Sequence, residues 1–269
     1  LTGTNNYTIV ISSADATGAN ATELNVINGA TSLPIDASAV TALTYDTIAN
    51  ITTLLTAGAD SAQFTNTSFS NLSAVSVFNE AGYFSANPDV ADAFGTDVGR
   101  GLAHYIADGL TEGRSDGSID VTDLNNAITG ANSLTGGTST VFTLTSGSTI
   151  NGGSESEFVS LLQNETNGNI EITNQNLTID SGTLTVANAT LLNATTSGTV
   201  TAAIATDSRV DSLKTLTGTN NYTIVISSAD ATGSTASELN TIDAATSVSV
   251  DAAAITVIEG TYDEIRTLY

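Results

Sequence analysis

The chain has no cysteine, methionine or tryptophan, and only two prolines, one histidine and five basic residues in 269 positions. Each shortage removes something. Without cysteine there are no disulfides and no thiolate metal ligands. The single histidine, His104, has no second His or Cys with which to anchor zinc. Five basic against twenty-eight acidic residues give a formal charge of −23, so nothing can neutralise a run of phosphates. Nucleic acid and an anionic membrane surface are therefore not expected partners. Divalent cations are the natural counterions, and such a surface keeps an abundant protein soluble in salt. No apolar run approaches the ~20 residues of a membrane helix, so no membrane insertion is expected within this segment. No signal peptide is visible. The missing Met, initiator included, reads as a processed or internal segment. A sulfur-free chain sparing in nitrogen-rich side chains suits a protein exported in bulk.

What is present points to thin layers. Apolar residues make up 40% of the chain, with seven Phe and seven Tyr, so the core is aliphatic and small-residue. Val, Ile and Leu are regularly spaced, which argues against disorder.

The strongest signal is a repeat. Residues 1–18, LTGTNNYTIVISSADATG, recur unchanged at 216–233. The match loosens through Glu23-Leu24-Asn25 against Glu238-Leu239-Asn240, and Asp36-Ala37 against Asp251-Ala252, at a constant shift of 215 residues. A shorter alternation lies beneath it. Residues 7–12 (YTIVIS) form a β-branched run, and 21–29 (ATELNVING) put Leu24 and Ile27 on one helical face. Residues 33–36 begin a second strand, and 46–55 a second helix that Asp46 is placed to cap. Downstream, strands at 141–144, 170–172, 200–204, 222–227 and 248–251 precede helices at 155–162, 184–192, 210–216, 236–242 and 262–268.

Each strand-plus-helix turn takes about 22–31 residues, near the leucine-rich-repeat range. Such a turn cannot bury its apolar face alone, so stacking gives a parallel sheet backed by helices. The expected fold is an α/β solenoid; the rival is a string of β-sandwich domains, favoured by the Thr/Val-rich strands and turn clusters. Residues 72–131 break the pattern with helical spacing (Val75, Val77, Phe78; Tyr83, Phe84; Val90, Ala93, Phe94) and read as a small all-α insert. Asn87 caps a helix there, with Pro88 in its first position. The expected divisions are solenoid at 1–71, helical insert at 72–131, solenoid at 132–215, and the start of the next unit at 216–269.

Two resemblances follow from these residues. Tyr83 to Val90, His104-Tyr105 and Gly109-Leu110-Thr111-Glu112-Gly113-Arg114 resemble, over about forty residues, a short module of large bacterial secreted proteins. Its pattern is Y-x-x-x-N-P-D-V, then H-Y-x-x-x-G-x-x-E-G-R; the resemblance implies an exported surface or matrix protein and no catalytic role. The flanking repeats, with Ala-Thr-Glu-Leu-Asn at 21–25, Ile-Asp-Ala-Ser at 35–38 and Thr-Gly-Thr before strands, look like those of giant cell-surface proteins of marine cyanobacteria. That family includes a surface protein associated with swimming motility. It implies an extracellular, structural and very long protein.

One stretch has metal-ligand spacing. Asp116, Ser118, Asp120 and Asp123 approach the alternation that wraps oxygens around calcium. The glycine is misplaced for an EF-hand and the closing Glu is missing. In the plainer reading, Asp120 caps the next helix. His104 is expected to pack on Phe84 or donate to a backbone carbonyl. Glu155 and Glu157 sit at a helix start, where the dipole favours them. Asp36 and Asp251 are expected to bond backbone amides at a turn. Asn6-Tyr7-Thr8, Asn20-Ala21-Thr22 and Asn188-Ala189-Thr190 are sequons, but a chain so rich in Asn, Ser and Thr produces them by chance. No phosphate loop, nucleophile elbow or dinucleotide fingerprint is present.

The expected function is structural, not enzymatic: an extracellular filament, sheath or surface layer whose partner is itself, with calcium as its only candidate ion. The alternative is an adhesin that holds a glycan or a partner surface.

Overall fold

Parallel pairing between strands of different segments organises each part of this protein. The computed structural model describes residues 5–61, 64, 69–94, 100–114, 117–135 and 140–268. Cα packing divides the chain into one unit of Leu1–Thr149 with Ser160–Ile172 and another of Ile150–Val159 with Thr173–Tyr269. This division does not follow the four segments expected from sequence. The protein is mixed α/β, and the strand registers resolved within each unit are parallel. A β-sandwich is built from antiparallel sheets, so that rival does not describe these units.

In the first unit Ile9–Val10 lies beside Ile35–Asp36. A three-stranded sheet places Ala74–Val77 between Ala42–Asp46 and Val141–Leu144. Helices Ala21–Gly29, Ile48–Ser61 and Val121–Leu134 follow their strands. Asn20 caps the first, its side chain accepting from the Glu23 amide. Thr47, not Asp46, accepts from the Asn50 amide at the start of the second. Asp46 accepts from the Thr47 amide and the Asn50 side chain beside it, and its other oxygen reaches back to the Thr22 amide, 2.7 Å away, in the first turn of the preceding helix. Helix Val121–Leu134 buries Val121, Leu124, Ala127, Ile128, Ala131 and Leu134. A Cβ on its Gly130 would come 3.2 Å from Leu55 Cβ, so the helix packs closely on Ile48–Ser61.

The insert differs from its expected form at both ends. Ala74–Val77 is a central strand whose Val75 and Val77 are fully buried, a period-two pattern. Helix Val121–Leu134 belongs to the layer of the flanking helices, and a short strand, Ser118–Asp120, precedes it. The irregular region is therefore shorter than 72–131 and not all-α.

In the second unit Val200–Ala203 is flanked by Asn176–Thr178 and Asn221–Thr223, and Ser234–Thr235 pairs with Ile258–Glu259. Helices Val186–Thr195, Val210–Leu213, Ala236–Ala244 and Tyr262–Leu268 alternate with these strands. Thr235 and Glu238 form a reciprocal capping box on Ala236–Ala244.

Threonine and serine hydroxyls reinforce the pairing in both units. Thr31 Oγ1 donates to the Tyr7 carbonyl 24 residues earlier, and Thr246 repeats this bond to Tyr222 with the same separation and the same 2.7 Å. Thr41 to Ala16 and Thr256 to Ala231 form another repeated pair, 25 residues apart in each case. Thr140 to Leu72 and Thr196 to Gln175 extend the series. Asparagines link neighbouring helices in the same way: Asn25 Nδ2 donates to the Asn50 carbonyl, and Asn240 Nδ2 to that of Glu264. The Thr140, Thr196 and Thr246 bonds are buried, and each satisfies a carbonyl that would otherwise cost about 1–3 kcal/mol.

Two outcomes are expected. A Cβ on Gly198 would lie 2.3 Å from the Gln175 carbonyl oxygen, so Gly198→Ala should destabilise the protein by about 1–3 kcal/mol in urea unfolding; unchanged stability would mean that the segments are not in backbone contact there. Burial pushes the Tyr222 phenol up to about 12 from an ordinary 10.0. The unfolded chain releases that proton first, so the stability contribution is intact below pH 10 and should be lost as pH rises towards 12. Absorbance titration should show one tyrosine ionising last, together with unfolding.

Candidate functional site

The motif residues of the helical insert do come together. Helix Glu80–Ala86 is capped by Asn79, whose side chain accepts from the Gly82 amide. Asn87 then joins this helix to Pro88–Phe94: its side-chain amide donates to the Tyr83 carbonyl at 2.8 Å, and its own carbonyl accepts from Val90 and Ala91. Pro88 occupies the first helical position, where its missing N–H costs nothing. Glu80 Oε1 accepts from the Gly101 amide at 2.7 Å, at the start of helix Arg100–His104. A π-helical turn, Tyr105–Gly109, follows.

Phe78, Tyr83, Val90 and Tyr105 form the module's core. Tyr83 packs edge-on against Tyr105, with ring centroids 5.4 Å apart. Desolvation raises the Tyr83 phenol above its ordinary range. The Tyr83 hydroxyl meets His104 Nδ1 at 2.8 Å, and the imidazole lies 5.4 Å from the Phe94 ring. His104 therefore bonds a tyrosine hydroxyl, not the expected carbonyl or Phe84. Gly109 permits this packing, since a Cβ there would lie 2.7 Å from the Tyr83 hydroxyl. Tyr105 Oη donates to the Ser146 carbonyl at 2.6 Å, which ties the module to the chain beyond it.

The charged motif residues close the structure from outside. Arg114 holds both Asp89 carboxylate oxygens at 2.8 Å and also pairs with Glu112. The Arg114 hydrogen bond holds the Asp89 carboxyl below the usual carboxylate range. The N-P-D-V and E-G-R halves of the pattern are thus the two ends of one ion-pair clasp. With Tyr83 and Tyr105 buried and Phe84 half-buried, the aromatics do not form the exposed platform an adhesin would use.

The calcium candidates are placed differently. Asp116 lies outside the described residues. Ser118 is exposed in its strand, and its carbonyl accepts from Asn79 Nδ2. The Asp120 carboxylate is the helix cap, accepting from the Thr122 amide at 2.9 Å and the Asp123 amide at 3.1 Å. Asp123 is exposed. Among the described residues no three His, Cys, Asp or Glu side chains gather as they would around a metal ion.

The carboxylates singled out at segment ends are structural links. Burial acts to raise Glu155, but bonds from the Thr185 amide, the Asn188 side chain and the Thr185 hydroxyl outweigh it and lower its pKa. Thr185 caps helix Val186–Thr195, so Glu155 reaches across to the next helix start. Glu157 accepts from the Ser154 amide at its own helix start. Asp36 accepts from the Ser38 amide and Asp251 from the Ala253 amide, as expected at these turns. Sequence reading missed the coupling of Asp46 and Glu155 to the adjacent helix. A polar residue before a helix signals its own cap, not a bond to a neighbour.

Among the described residues no helix is long and apolar enough to cross a membrane. No known protein family, characterised protein or solved structure matches the chain.

Proposed function

We propose that the chain belongs to an extracellular structural protein in which strand–helix segments coil into an α/β solenoid. The 215-residue units are then joined end on end as a filament, sheath or surface layer. The observation that carries this reading is the identity of forward register in the two copies of the repeat. Val10 pairs with Asp36, and Val225, 215 residues later, pairs with Asp251. The second copy also has a strand on its other side, Val200–Ala203 against Asn221–Thr223. The same sequence thus sits in the same forward register while a preceding segment pairs behind it, which is how an open-ended stack propagates.

The mutual bonding of the motif residues agrees with a building role. Tyr83, Asn87, Asp89, Glu112 and Arg114 all bond within their own module. The acidic, sulfur-free composition and the resemblance to giant surface proteins favour an exported location. The reading assigns the chain no catalytic step. Buried aromatics weaken the adhesin alternative.

Electron microscopy of the native material tests it. Fibres or sheets with an axial repeat set by one 215-residue unit are the expected result. Dispersed particles that fail to associate with or without calcium would rule it out.

A further inference from the structure

The duplicated sequence means that one surface is present twice, once in each unit, with different neighbours. In the second copy it is covered. Strand Val200–Ala203 runs along Asn221–Thr223. Tyr222 is 0% exposed, and its hydroxyl donates to the Ala189 carbonyl at 3.2 Å. Asp230 is 9% exposed and accepts from Arg209 Nε at 2.7 Å and from the Val210 amide at 3.0 Å. Lys214 Nζ donates to Glu238 at 2.8 Å, and Ile242 is fully buried.

In the first copy the same residues are bare. Tyr7 is 45% exposed, Asp15 and Glu23 are exposed, and Ile27 is only half-buried. Between Asp15, Glu23 and Ile27 lies a groove of about 470 Å³, lined also by Ile11 and Leu24. Among the described residues no segment fills it.

Charge identifies the occupant. Asp15 and Glu23 call for a short apolar helix with a basic residue just before it and another at its end. The chain has five basic residues: Arg100, Arg114, Arg209, Lys214 and Arg266. Only Arg209 and Lys214 are five apart, on either side of helix Val210–Leu213. This chain's own residues 209–214 are already seated on the second copy, so the first copy needs another. We propose that the groove at Ile11, Asp15 and Leu24 seats a second copy of residues 186–215, carried by another 215-residue unit placed directly ahead in tandem. Its Arg209 meets Asp15, its Lys214 meets Glu23, and its Ala189 carbonyl accepts from the Tyr7 hydroxyl. The contact is head-to-tail and does not close on itself, so it sets the polarity of the array. It rests on the stacking reading for the tandem arrangement, and on the two copies alone for the contacts.

The test extends the full chain with an extra copy of residues 150–215 ahead of Leu1 and follows nitration of each tyrosine by tetranitromethane. Tryptic fragments that end at Arg100 and at Arg266 separate the two otherwise identical sites. In the unextended chain Tyr7 should react at least about tenfold faster than Tyr222, in line with local protection. The extension should bring Tyr7 down to the Tyr222 rate, and Arg209→Glu in the added copy alone should restore its reactivity. A Tyr7 rate unchanged by the extension overturns the proposal. So does a Tyr222 that stays protected when Arg209→Glu is made in the unextended chain, where several-fold faster nitration is expected. A protected Tyr7 in an extended chain that forms no fibres upholds this contact while removing the stacking reading. Fibres with a reactive Tyr7 uphold stacking and remove this contact.

Discussion

Everything else in this protein depends on backbone-to-backbone contact between successive strand–helix segments. Strands of two to five residues are too short to stand alone, and each strand–helix segment is too thin to bury its own apolar face. Parallel pairing solves both problems at once, because it also sets helix Ile48–Ser61 between helices Ala21–Gly29 and Val121–Leu134, with Leu24, Leu54 and Leu124 buried. Carbonyls at the segment ends face the next segment, and threonine hydroxyls just outside the named strands donate to them. These threonines therefore serve the pairing of segments, as does the glycine at Gly198, where a Cβ would collide with the Gln175 backbone.

The helical insert is compatible with this constraint because it leaves the ladder before it closes on itself. Val77 ends a strand, the module folds around Tyr83 and Tyr105, and strand Ser118–Asp120 leads back into helix Val121–Leu134. Its charged clasp of Asp89, Glu112 and Arg114 joins residues 25 positions apart and asks nothing of the flanking sheet. An array can carry such a module once per unit without changing how segments pair.

Much of this was legible in the sequence where the signal is local. Helices Ala21–Gly29 and Tyr262–Leu268 and strand Val141–Leu144 lie at their expected bounds, because caps, apolar spacing and turn residues mark them. Strands Ala42–Asp46 and Asn176–Thr178 were not legible, since only lateral pairing makes strands of such mixed sequences. Ala74–Val77 read as helical because Val75, Val77 and Phe78 fit either period, and the neighbouring strands decide between them. The motif of the insert was visible, but not that its tyrosines face inward or that His104 meets Tyr83. The difference between Tyr7 and Tyr222 could not be read at all, because the two stretches are identical and only their neighbours differ.

The central claim, that segment-to-segment backbone bonding holds the fold, is tested most directly by native-state hydrogen exchange. The amides of Val141, Leu177, Leu184 and Ile204 donate to the carbonyls of Ser73, Thr199, Ala203 and Thr223, each on a neighbouring segment. They should exchange only through unfolding of the unit that contains them, with protection close to its full stability. Exchange of these amides at the rate of exposed loops, in a chain that keeps its helices, would contradict the account.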